Sequence, residues 1–285
     1  MSTSTLTSPT TTATQDSPPP NDTHLSFARV VRSEWIKFRT LRSTIWTLAI
    51  TLVLMVGIVG LLSAVGAPQP GQGGGNGSSI VVITVATTLA QLAVTILGVL
   101  VITGEYSTGM IRSTLTAVPR RLPALWAKGV VLAVSIFVVS GVAVAISLAV
   151  MALILGPKGQ APDLGNSDTV RVLAGVPLYL TAIALFAFAI GALLRHSAAA
   201  LATVLGMLLV VQNLLMFPWK PFQLINPFMP GTAGSEIFMP QAQIDLMTRG
   251  AVGTVLSPWQ GFGVLLVWVV VLLSAAAVLL RRRNA

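Results

Sequence analysis

Polar side chains thin out six times along this chain. Residues 45–65, 80–103, 129–155, 172–194, 197–217 and 262–280 contain no Asp, Glu, Lys or Arg. Each run is about 19 to 27 residues long, and a helix needs about 20 apolar residues to cross the hydrocarbon core of a bilayer. In that core every backbone amide must bond within its own segment, so runs of this kind predict membrane-spanning helices. The expected fold is all-α: a polytopic integral membrane protein with six transmembrane helices over residues 45–280.

The stretch before the first run has a different rhythm. Over residues 27–44, at 100° per residue, Phe27, Val30, Val31, Trp35, Phe38 and Leu41 gather on one face. Arg29, Arg32, Lys37, Arg39 and Thr40 take the other. A basic amphipathic helix carrying Trp and Phe lies flat in the membrane interface, with Trp35 and Phe38 below the headgroups. Glu34 falls in the middle of the apolar face, where an unpaired carboxylate is costly. A cationic or hydrogen-bonding partner is therefore expected within residues 106–128, the alternative being Lys37 one turn along.

The remaining segments read as links and ends. Residues 1–26, rich in Ser, Thr and Pro, read as a disordered cytoplasmic tail, and residues 281–285 as a basic cytoplasmic C-terminus. Residues 66–79 carry a glycine triplet and no charge, residues 156–171 are short and polar, and Arg195 with His196 makes a tight turn. Residues 218–261 contain six prolines, and those at 218, 221, 227, 230 and 240 forbid one continuous helix. Short helices dipping into the outer leaflet are expected there in preference to a free loop.

Charge sets the orientation. With the N-terminus in the cytoplasm, thirteen of the 17 basic residues fall inside, leaving Lys158, Arg171, Lys220 and Arg249 outside. That is the positive-inside bias. The acidic residues divide evenly, so the whole net charge of +9 lies on the cytoplasmic face, facing anionic headgroups. This places the chain in the cell membrane with both termini cytoplasmic and argues for membrane lipid, not nucleic acid, as the partner of its basic residues. The chain has no cysteine, and no signal-peptide core precedes residue 45.

Catalytic constellations are not found. None of the four lysines follows a glycine, so a phosphate-binding Gly-x-x-x-x-Gly-Lys loop is excluded. His24 and His196 are the only histidines, too few and too scattered for a zinc site or a nucleophile relay. The chain is expected to be no enzyme and to hold no metal. The uncharged runs also disfavour an ion-coupled carrier.

A polar stripe remains. Thr84, Thr88, Gln91 and Thr95 share one face of the second run, flanked by Thr87 and Gly98. It reads either as helix packing or as the lining of a pathway. Gly57 with Gly60, and Gly141 with Ala145, read as packing. Glu105 closes the same run as a lone acid amid basic residues, either a solvated anchor or one half of an ion pair.

Three stretches resemble a known family. Residues 32–39, with Glu34, Trp35, Lys37 and Phe38, resemble the helix that leads into the first span of type 2 ATP-binding-cassette (ABC) exporter permeases of actinobacterial style. Gly104-Glu105-Tyr106-Ser107-Thr108-Gly109-Met110-Ile111-Arg112 after the second span is similar to the corresponding stretch. So is Leu256-Ser257-Pro258-Trp259-Gln260-Gly261-Phe262 before a last helix ending in Arg281, Arg282 and Arg283. The resemblance implies a six-helix permease subunit that pairs with a second permease copy or homologue and with separate ABC ATPase subunits. ATP and Mg would be held on those ATPases, with no cofactor on this chain. It also implies that Glu105, Tyr106, Ser107, Thr108, Gly109, Met110, Ile111 and Arg112 couple to the ATPase. Cargo does not transfer; small hydrophobic, drug-like or lipid molecules fit the scarcity of aromatics in the spans. The rival expectation is a non-transporting membrane anchor or signalling partner.

Overall fold

The computed structural model describes residues 26–66, 77–107, 121–215, 217, 219–249 and 254–282. Among these the protein is helical, with no strand. Helix α1 (Phe27–Thr40) is followed by α2 (Arg42–Val65), α3 (Gly77–Ser107), α4 (Arg121–Leu155), α5 (Ser167–Leu194) and α6 (Ser197–Leu215). Three short helices follow, α7 (Lys220–Ile225), α8 (Pro230–Ser235) and α9 (Gln241–Arg249), and α10 (Pro258–Arg282) closes the chain. Six of these, α2 to α6 and α10, are long and apolar enough to cross a membrane. The protein is an all-α polytopic membrane protein preceded by an amphipathic helix.

The centre of the bundle is the α3–α5 pair. In its most apolar window α5 is 78% buried and α3 67%, against 22% for α2, α6 and α10. The outer helices turn large apolar side chains outward, among them Trp46, Leu153 and Val267. At about 25 cal/mol per Å² of apolar surface, that outer face is stable only against lipid or another protein.

Close packing at the centre depends on glycine. A Cβ on Gly98 of α3 would strike the backbone oxygen of Ala184, and one on Gly191 of α5 would come within 2.7 Å of Ile102 Cγ2. Small residues let membrane helices approach this way. The packing role expected of Gly57 and Gly141 is not found, since neither would bring a Cβ within 4 Å of a neighbour among the described residues. Gly60 meets Val150 at an ordinary 3.6 Å. The reason is position: Gly57 and Gly141 lie on peripheral helices, α2 and α4.

Two boundaries differ from the sequence pattern. Helix α1 ends at Thr40, and residues 42–44 belong to α2. Leu41 between them is extended (φ −73°, ψ 115°), although no Pro or Gly breaks the sequence there. Helix α4 begins at Arg121, well before the uncharged run at 129, with Pro123 in its first turn. Proline is tolerated in a first turn because its missing N–H would be unpaired in any case. The turn between α5 and α6 is as tight as expected: Arg195 adopts φ 56°, and His196 Nδ1 caps α6 by accepting from the Ala199 amide at 3.2 Å.

On the side away from α1, the short helices expected between residues 218 and 261 form and pack into the bundle. Ile237 and Phe238 are buried, and the Phe238 ring centroid lies 4.7 Å from that of Tyr179 on α5. Arg171 at the start of α5 holds the segment. Its guanidinium donates to the carbonyls of Glu236 (3.1 Å), Ile237 (3.0 Å) and Met239 (2.8 Å) and pairs with Asp168. A cation here meets carbonyls that lie between two short helices.

Candidate functional site

Four charged side chains from three helices converge on the α1 side of the bundle. Glu34 and Lys37 lie one turn apart on α1, Glu105 lies in the last turn of α3, and Lys128 lies in the second turn of α4. Lys128 Nζ stands 2.5 Å from Glu34 Oε2 and 2.7 Å from Glu105 Oε1, and Lys37 pairs with the same Glu105 oxygen. Glu34, Glu105 and Lys128 are buried, at 8%, 5% and 5% exposure.

Glu34 thus has its cationic partner inside the expected stretch, and the partner is Lys128, its last residue. Lys37 pairs with Glu105 and not with Glu34. Glu105 is an ion-paired acid, not a solvated anchor. Lys128 lies within a helix, because α4 begins seven residues before it. Pro123, a first-turn residue, was the available signal.

The cluster balances two carboxylates against two ammonium groups. Each ion gives up hydration worth several kcal/mol and recovers it only while its partners are in place. Burial pushes the Lys37 ammonium below its ordinary pKa, the nearby Lys128 charge adds to this, and Glu34 opposes it. Glu105 Oε2 is buried with no hydrogen-bond partner among the described residues. The arrangement is a junction: one ammonium on α4 ties α1 to the end of α3. A displacement of any one helix must break or drag the other two.

Beside the junction, Arg195 at the end of α5 lies over the Tyr106 ring, 5.4 Å from its centroid, a cation–π contact that ties the α5–α6 turn to the end of α3. Ser107 is the last residue of α3. Thr108, Gly109, Met110, Ile111 and Arg112 lie outside the described residues. On α1, Phe38 turns into the core, whereas Trp35 is 41% exposed.

The polar stripe divides. The Thr84 hydroxyl donates to the carbonyl of Phe238 (3.3 Å) and Gln91 Oε1 accepts from Tyr179 Oη (2.5 Å), while the buried Thr95 hydroxyl has no partner among the described residues. Thr84 and Gln91 therefore bind helix to helix. Thr88 is exposed, its hydroxyl bonded back to the carbonyl of Thr84. No group of three His, Asp or Glu side chains suited to a metal ion occurs among the described residues.

No protein-family model and no curated protein matches this chain.

Proposed function

We propose that this chain is the transmembrane permease subunit of an ATP-driven ABC-type exporter, working by alternating access. On this reading it lies in the cell membrane with both termini cytoplasmic. It pairs with a second permease copy or homologue, and a separate ATPase holds ATP and Mg. Small hydrophobic, drug-like or lipid molecules are the cargo class.

The observation that supports this reading most is the place of the ion junction. Glu105 opens the stretch that resembles an ATPase-coupling helix, and it is tied through Lys128 and Lys37 to α4 and α1. A push on the end of α3 would then be felt at once by three helices, as a rigid-body rearrangement needs. The wide apolar outer faces of α2 and α10 leave room for a second permease.

The test is co-purification with a candidate ABC ATPase subunit, followed by ATP hydrolysis and transport in proteoliposomes. The chain alone should hydrolyse no ATP. In the complex, Glu105→Ala should uncouple hydrolysis from transport more than it reduces assembly. Failure to bind any ATPase, or equal transport by wild type and Glu105→Ala, would favour the non-transporting anchor.

A further inference from the structure

Where α1 crosses α4, a groove of about 260 Å³ opens on the outside of the protein. Its walls are Ala28, Val31 and Trp35 of α1 and Val130, Val131 and Val134 of α4, and Arg32 is the one charged side chain in its lining among the described residues. The α1 residues recur at i, i+3 and i+7 and the α4 residues within one turn, so the groove is a consequence of helical periodicity on both sides. Val131 is buried, but Val130, Val134 and Trp35 are 42%, 49% and 41% exposed. The groove therefore opens outward, in a protein whose outer surface faces lipid.

Its chemistry is two-part. The walls offer no hydrogen bond to a polar occupant, whereas Arg32 has no acidic partner among the described residues. This contrasts with Lys37 and Lys128, both of which Glu34 and Glu105 neutralise. The Trp35 indole N–H likewise makes no hydrogen bond among the described residues. A guanidinium and an indole N–H beside an apolar trough suit a phosphate joined to a hydrocarbon chain.

We propose that this groove seats one anionic phospholipid, its acyl chain along Val31, Val130 and Val134 and its headgroup phosphate on Arg32 and Trp35. The net charge of the headgroup matters because Arg32 is uncompensated: a zwitterionic lipid brings its own cation to the same place. The site does not depend on whether the protein transports anything.

Quenching of tryptophan fluorescence by phospholipid with a dibrominated acyl chain tests this in the purified full-length protein in detergent. The Trp35 signal is the wild-type quenching minus that of Trp35→Phe. Dibromo-phosphatidylglycerol should quench Trp35 at a concentration at least about five-fold lower than dibromo-phosphatidylcholine. Arg32→Gln should bring the two together, and Ala28→Leu, which fills the groove, should weaken both. Glycerol phosphate, which has the phosphate but no chain, should not compete. Equal quenching by the two lipids would overturn the proposal, as would a preference that survives Arg32→Gln. A loss as large in Arg29→Gln as in Arg32→Gln would also overturn it, by showing that surface potential acts and no seat exists.

Discussion

Lys128 and Glu34 are 94 residues apart in sequence and 2.5 Å apart in the structure, and the same ammonium reaches Glu105 at 2.7 Å. One side chain thus closes the junction of α1, α3 and α4. Lys128→Met would strand the buried Glu34 carboxylate and leave Glu105 with Lys37 alone, with an expected loss of about 3–5 kcal/mol. Glu34→Ala should be comparably harmful, whereas Arg29→Ala on the exposed face should stay within about 0.5 kcal/mol. Unfolding midpoints in detergent measure the ranking. The double variant Glu34→Gln/Lys128→Met should lose less than the two single losses combined. Equal midpoints for Lys128→Met and Arg29→Ala would dismiss the junction.

Arg171 supplies three carbonyl contacts to residues 236–239. Hydrogen bonds to a charged group are worth about 1.5–3 kcal/mol, so Arg171→Met should loosen this segment before the bundle. Hydrogen exchange at the amides of residues 236–239 and 241 should accelerate by at least about ten-fold while the amides of α3 keep their protection. Unchanged exchange at those amides would show that packing of Ile237 and Phe238 alone holds the segment.

Burial raises the Glu236 carboxyl from its usual 4.5 to about 7. Its Oε2 has no hydrogen-bond partner among the described residues and faces Gly261 in the first turn of α10. The folded chain therefore keeps a proton between pH 4.5 and 7 that the unfolded chain releases. The resulting stability is fully present below 4.5, falls as pH rises through that window and is gone above about 7. Glu236→Gln should flatten this fall. Unfolding midpoints of the two proteins at pH 5 and pH 8 measure it; parallel pH profiles would count against a raised Glu236.

The charge asymmetry predicts the sides. The chain has no cysteine, so single cysteines report without background. Leu164→Cys, exposed before α5, should react with an impermeant maleimide in intact cells, and Thr40→Cys, exposed at the end of α1, should react only after permeabilisation. The reverse pattern would invert the topology.

The six spans and the amphipathic helix were legible in the sequence because the bilayer imposes a one-dimensional rule. Length and apolarity decide crossing, and a 100° periodicity decides which face is wet. The same rule placed Glu34 on an apolar face and so required a partner for it. Three things were decided only in three dimensions. The break at Leu41 has no Pro or Gly to announce it; the chain changes direction there as α1 crosses toward α4 while α2 enters the bundle. At the bundle centre close approach falls to Gly98 and Gly191, and not to Gly57 and Gly141, because it depends on which helices take the centre. The choice of Lys128 over Lys37 as the partner of Glu34 depends on where α4 begins and how it meets α1. Local composition dictates what each segment must avoid. Only the packing of segments distant in sequence determines which side chains meet.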